Sequence, residues 1–254
     1  MKKSETRKSK HTKQDIEYIL FEHFKDCHKG ETAIFFGSGP TLKEFKNREG
    51  VDHVRVGVNE TIFLDFALDY LIVGDAADPK FYDRLDDFHK YKPNKLKLMG
   101  RDPRKALDVI HAVGGVDGSL YYDTKLVSRA NRTVPNFTHD LVNDKVSRWG
   151  SISFDVIQIL AWMGFSNIIL VGHDCDYTDG TFHTDREKAK NLSKIGAEIP
   201  LPSGPTVGQK LVDHWGQIQK FLRVQYPFLN VYSFRPKALT CFPKISEEDM
   251  WNLR

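Results

Sequence analysis

Four short stretches and two histidines hold the residue types from which a site can be built. Gly37-Ser38-Gly39-Pro40-Thr41 is the first. Glycines let a backbone come close to a phosphate, amides at the start of a following helix donate to it, and the helix dipole adds about 0.3–1 kcal/mol. The stretch is neither the GxGxxG fingerprint nor a P-loop, and a tight turn without ligand explains it equally. Trp149-Gly150-Ser151-Ile152-Ser153 is the second. Ser151 or Ser153 can cap the next helix or serve a second anion site at its N-terminus. The third is Gly172-His173-Asp174-Cys175-Asp176-Tyr177. Asp174 and Asp176 can take a divalent ion or ligand hydroxyls, and Asp174 can equally cap a turn. Asn59-Glu60 is the fourth. His183, in a polar Gly-rich stretch, and His214, beside Trp215, are the candidate bases. An unshifted imidazole titrates near pH 6.5, which suits it to deprotonating a hydroxyl.

The elements that position these residues follow from periodicity. Asp15 to Cys27 reads as a helix with Ile16, Ile19, Leu20, His23 and Phe24 on one face. Strands are expected at 32–36, 53–58, 70–73, 95–99, 167–171 and 230–234, with a shorter one at 120–122. Helices are expected at 42–47, 79–88, 103–111, 151–163 and 210–225. Strands alternating with helices predict a mostly parallel, Rossmann-like α/β sheet with helices on both faces. Such sheets bind ligands beyond the C-terminal ends of their strands. The strong strands run out into Gly-Ser-Gly-Pro-Thr, Asn-Glu, Gly74-Asp75-Ala and Gly-His-Asp. Small and polar clusters are thus delivered to one edge. Residues from about 177 to 207 are rich in Gly and Pro without apolar periodicity, the composition of a mobile lid.

Composition bounds the rest. With 254 residues and 40% hydrophobic content, the chain can bury a core without disulfide or metal staples. No Pro/Gly/Ser-rich linker divides its middle, so residues 14–254 are expected to form one domain. Three dispersed cysteines, Cys27, Cys175 and Cys241, with no CxxC pair, argue against a disulfide framework and a structural zinc site, and fit a reducing cytoplasm. No apolar run approaches the roughly 18 residues of a membrane span, and no apolar segment of a secretory signal follows the basic start. In residues 1–13, Lys2, Lys3, Arg7, Lys8, Lys10 and Lys13 face only Glu5. That is a solvated, disordered tail, or one drawn to anionic lipid at the inner membrane face. It has no interleaved aromatics for base stacking, so no nucleic-acid partner is expected.

The order of these motifs resembles a known family. A small-x-Gly-Pro-Ser/Thr-Leu loop follows the first strand, Asn ends the second and Asp the third. A Gly-Ser-led helix running to Ala-x-x-Gly-Phe and an apolar strand ending in Gly-x-Asp come later. The pattern, over about 32–75 and 150–234, resembles the bacterial CMP-sialic acid-dependent sialyltransferases and the related motility-associated and lipopolysaccharide glycosyltransferase domain. It is also similar to the archaeal 6-hydroxymethylpterin diphosphokinases. The resemblance implies that Gly39, Pro40, Thr41 and Asn59 hold a nucleotide, with Ser151, Ser153, Gly172 and Asp174 completing the site. Gly37 and Ser38 of the same loop and Asp75 at the end of the third strand are further candidates from their placement. Ser38 stands where those enzymes usually carry Asn. The implied activity is transfer of a sugar from a CMP-activated donor to a hydroxyl of a glycan or lipid-linked glycan, as in surface polysaccharide or lipopolysaccharide synthesis. No cofactor or metal is required for it. The alternatives are magnesium-dependent pyrophosphoryl transfer to a pterin alcohol, with Asp75, Asp174 and Asp176 as carboxylates, and a nucleotide-sugar-binding protein without catalysis.

Overall fold

The computed structural model describes residues 19–74, 85–101, 116, 118–126, 137–149, 151–176 and 207–253. Its centre is a nine-stranded sheet. The strands are β1 (Thr32–Phe36), β2 (Val54–Val58), β3 (Tyr70–Val73), β4 (Leu96–Arg101), β5 (Ser119–Leu126), β6 (Val146–Arg148), β7 (Asn167–Val171), β8 (Asn230–Phe234) and β9 (Lys244–Ile245). Every pairing is parallel. The order is β6-β5-β4-β3-β2-β1-β7-β8-β9. The chain winds outward from β1 in one direction, then returns to lay β7 against the other side of β1. The strand order therefore reverses between β1 and β7, the kind of position where open α/β sheets form a crevice.

Two apolar clusters sandwich the sheet, sorted by the two-residue period of the strands. Ala33 and Phe35 of β1 face one way, with Ile168 and Leu170 of β7, onto α2 (Ile152–Trp162) and α3 (Val207–Gln225). Ile34, Phe36, Ile169 and Val171 face the other way. There they meet Leu42, Phe45, Phe88 of α1 (Leu85–Lys90), and Met250 and Trp251 of α4 (Glu247–Asn252). All five residues of β1 and of β7 are buried, as central strands covered on both faces must be.

The expected elements are adjusted at several points. In place of a helix over 42–47 there is a 3-10 turn, Pro40–Glu44. Only Leu42 and Phe45, three apart, supply buried apolar side chains, and Lys46-Asn47-Arg48-Glu49 gives a longer helix nothing to bury. Within the described part of the expected helix 15–27, Phe21–Phe24 is likewise a 3-10 turn. β5 is eight residues long, more than the 120–122 expected, and β6, β9 and α4 were not foreseen. α2 ends where expected, at Gly164, whose φ of +84° suits glycine. The tail 1–13, the helix 103–111 and the lid, apart from Val207 at the start of α3, lie outside the described residues.

Candidate functional site

Because all strands run the same way, the segments after β1, β2, β3 and β7 emerge on one edge. At the β1/β7 junction two of them are tied together. The Gly37 amide donates to the Val171 carbonyl at 2.8 Å and the Gly39 amide to the Gly172 carbonyl at 2.8 Å. Thr41 then donates twice to Asp174, from its amide to Oδ2 at 2.9 Å and from its hydroxyl to Oδ1 at 2.6 Å. Asp174 is 2% exposed and Thr41 5%. Burial pushes the Asp174 carboxyl above the usual range, and the two bonds from Thr41 pull against that shift. The chain's own carboxylate thus caps the 3-10 turn, occupying the amide that a phosphate was expected to use.

The packing also explains the glycines. A Cβ on Gly37 would meet the Gly172 carbonyl oxygen at 2.6 Å, and one on Gly39 would meet that oxygen at 2.5 Å and the Asp174 carboxylate as well. Gly172 itself has φ +69°. These positions need glycine because the two loops touch each other, before any ligand is considered.

A second group gathers at the ends of β2 and β3. Asn59 has φ +45°, and its side-chain Oδ1 accepts from the Gly74 amide at 3.2 Å. That bond turns the carboxamide so that Nδ2 is its other polar group. Gly74 abuts the start of α2: a Cβ there would lie 2.8 Å from Ile152 Cδ1. Ser151 caps α2, accepting from the Ser153 amide at 3.3 Å. The positive end of an eleven-residue helix therefore sits against the same edge.

Beneath that helix start lies a buried polar cluster missed in the sequence. Arg148 Nε and Nη2 donate to Asp155 Oδ2 at 3.0 and 2.7 Å, and the Tyr122 hydroxyl donates to the same oxygen at 3.2 Å. Burial and the Asp155 charge push the Tyr122 phenol well above its ordinary range. The cluster pins the first turn of α2 to β5 and β6. Its one visible signal was a lone carboxylate, Asp155, early in an otherwise apolar helix.

The two described histidines near this edge differ from an ordinary exposed imidazole. His214 stacks on Trp149, with ring centres 3.2 Å apart and 19° between planes, and burial pushes it down to about 4. It stays neutral near pH 7 but is a weaker proton acceptor than an unshifted histidine. His173 is pushed down to about 3 by burial. The structure brings together Gly37, Ser38, Gly39, Pro40, Thr41, Gly172 and Asp174 at the junction, and Asn59, Ser151 and Ser153 beside it. Asp75 and His183 lie outside the described residues. Among the described residues no three His, Cys, Asp or Glu side chains are gathered as a metal ion would need.

Fold and edge together define a doubly wound α/β protein whose polar strand-end segments gather at its topological switch point. Among solved structures, the chain is similar to a monofunctional α-2,3-sialyltransferase, Cst-I, from Campylobacter jejuni, at 14% identity and a TM-score of 0.48, covering 80% of this chain and 75% of that chain. It is also similar to the sialyltransferase CstII from Campylobacter jejuni in complex with cytidine-5'-monophosphate, at 13% identity and a TM-score of 0.45, covering 88% and 97%. At this distance the likeness concerns the course of the chain. No protein-family model and no curated protein matches the sequence.

Proposed function

We propose that the chain is a glycosyltransferase that binds a nucleotide-activated sugar in the switch-point crevice and passes the sugar to a hydroxyl. The observation that carries this reading is the convergence, on one strand edge, of the 37–41 loop, Asn59 and the capped start of α2. An activated donor needs three things there: a seat for the nucleoside, positive potential for its phosphate, and room for an acceptor. The α2 N-terminus supplies the positive potential. Ser38, Asn59, Ser151 and Ser153 supply neutral hydrogen-bonding groups near it. Thr41 and Asp174 act as the clamp that shapes the loop, since each is already engaged with the other.

The finer reading takes the CMP-activated, sialic acid-like donor from the resemblance of the motifs. A CMP leaving group departs as a stabilised phosphate, so a base and helix-terminus amides suffice in this reading without a metal. The acceptor is a glycan or lipid-linked glycan, met at the cytoplasmic membrane face with the basic tail against anionic lipid. The base is His183, with His214 in reserve because burial weakens it.

The test is release of CMP from CMP-sialic acid in the presence of a glycan acceptor, with and without a chelator. Turnover that survives chelation supports the reading. Turnover only with ATP and magnesium replaces it with pyrophosphoryl transfer, and binding without turnover of any donor replaces it with a carrier. If His183 is the base, His183→Ala lowers transfer by about 10² or more with donor affinity nearly unchanged. Full activity in that variant, with loss in His214→Ala, moves the role to α3.

A further inference from the structure

His173 stands between Gly172 and Asp174 at the end of β7, inside the β1/β7 junction. Its ring is fixed from several sides. Phe35 meets it at 4.4 Å between ring centres and 62°, and Trp215 at 5.7 Å and 85°. On a third side the backbone of Gly37 is so close that an added Cβ would sit 3.0 Å from the ring's Cε1. Nδ1 lies 3.1 Å from the Val171 carbonyl oxygen. A carbonyl only accepts, so Nδ1 carries the proton and Nε2 presents a lone pair. That Nε2 is buried and has no hydrogen-bond partner among the described residues.

An unmet buried acceptor costs free energy, whereas an apolar side chain of similar shape in the same place does not. Packing alone gives no reason for an acceptor at Nε2, since Phe35, Trp215 and the Gly37 backbone, which the ring meets among the described residues, offer it no donor. Nor does the Val171 carbonyl depend on the imidazole, because it also accepts from the Gly37 amide at 2.8 Å. His28, at the opposite edge, is satisfied, with Glu31 2.9 Å from Nδ1 and the Tyr70 hydroxyl 2.7 Å from Nε2, whereas His214 Nδ1, near the same edge as His173, is likewise without a partner among the described residues.

We propose that Nε2 of His173 is a ligand-binding acceptor that takes a hydrogen bond from an uncharged O–H or N–H of the nucleoside part of the ligand. The contact rests on the nucleotide reading of the site and deepens it. A lone pair attracts a ribose hydroxyl or an exocyclic amine and repels a phosphate oxygen. His173 therefore orients the ligand, nucleoside toward β7 and phosphate toward the start of α2. The residue as a whole is part exposed although Nε2 is covered, so the ligand reaches the nitrogen by a small shift at the ring edge. Burial keeps the ring neutral well below physiological pH, which preserves the acceptor.

The experiment compares wild type, His173→Leu and His173→Gln by calorimetric titration with CMP, cytidine and pyrophosphate, alongside melting without ligand. Leucine fills the space without the nitrogen, and glutamine can return an oxygen acceptor near the position of Nε2. The expected result is at least a tenfold loss of affinity for both CMP and cytidine in His173→Leu, with pyrophosphate binding unchanged. Glutamine recovers part of the loss, the unliganded His173→Leu protein melts no lower than wild type at pH 7, and wild-type affinity for cytidine, which has no phosphate to titrate, is flat from pH 5 to 8. Unchanged CMP affinity in His173→Leu, when wild type binds CMP, overturns this contact and leaves the proposed function standing. A lowered melting temperature without ligand also overturns it, by showing that the imidazole serves the fold. A wild-type protein that binds none of CMP, UDP, GDP or ATP overturns the proposed function and this contact together.

Discussion

The two edges of the sheet share backbone ties but differ in what their side chains do. At the N-terminal edge the chain closes on itself through backbone bonds. The Asp26, His28 and Gly30 amides donate to the Trp162, Met163 and Gly164 carbonyls, and Asn230 donates to Ser166. Side chains finish the job: Asn167 Nδ2 donates to the Thr32 hydroxyl at 3.1 Å, and Asn230 Nδ2 to Asn167 Oδ1 at 3.3 Å. At the C-terminal edge two backbone bonds, from Gly37 to Val171 and from Gly39 to Gly172, are joined by a carboxylate, an asparagine and a serine cap, and among the described residues His173 Nε2 and His214 Nδ1 have no hydrogen-bond partner. The bonds named at the first edge join its polar groups to one another. The second holds polar groups in fixed positions facing one another, which is the condition for receiving a ligand.

Glycine substitutions sharpen this contrast most. Gly30, at the N-terminal edge, has φ +86° and open space where a Cβ would go. Gly30→Ala is therefore expected to cost only the left-handed strain, about 1 kcal/mol. Gly39→Val forces a side chain into the Gly172 carbonyl and the Asp174 carboxylate, and about 3 kcal/mol is expected. Denaturant melts of both variants decide this. Equal losses would mean that the junction is no more tightly packed than the opposite edge. A loss of nucleotide binding in Gly39→Val then reports a displaced loop as much as a blocked ligand.

Titration comes next. Burial depresses His173 to about 3, so between that value and about 6.5 the unfolded chain binds a proton that the folded chain refuses. The contribution is intact above about pH 6.5 and is lost as pH falls. At most about 2 kcal/mol should disappear from pH 6.5 to 5 through this one group. Asp174 works the other way: its raised pKa adds stability as pH falls through it. Asp174 and His214 are common to wild type and His173→Leu, so the difference between their pH profiles isolates His173. Parallel profiles would mean that the ring protonates freely in the fold.

A smaller effect is expected from Asn59→Ala. It removes the acceptor of the Gly74 amide and puts alanine at φ +45°. A cost of about 1–2 kcal/mol is expected, with nucleotide affinity reduced as well. A stability loss with unchanged affinity for CMP would confine Asn59 to the fold.

Much of this was legible in the sequence. β7 and β8 fall where their apolar, β-branched runs predict, and α2 starts at its serine. The edge was legible too, because strand ends announce themselves as Gly-Ser-Gly, Asn-Glu and Gly-His-Asp. What pairing does across that edge was not. Thr41 and Asp174 are separated by 133 residues, and no local pattern says that one caps the other. For the same reason the glycines read as ligand-facing when their first neighbours are each other's loops. The state of His173 was hidden because it depends on Phe35 and Trp215, which arrive from distant elements. β9 is only two residues long, below the length at which alternation can be seen.

The central claim is that the nucleotide sits on the C-terminal edge, at the β1/β7 junction. Amide hydrogen exchange with and without saturating CMP tests it most directly. Slowed exchange is predicted at 37–41, 59–61, 151–153 and 172–174, with 26–31, 163–167 and 226–230 unchanged. Protection at the N-terminal edge, with the junction loops unaffected while CMP is bound, would contradict the account.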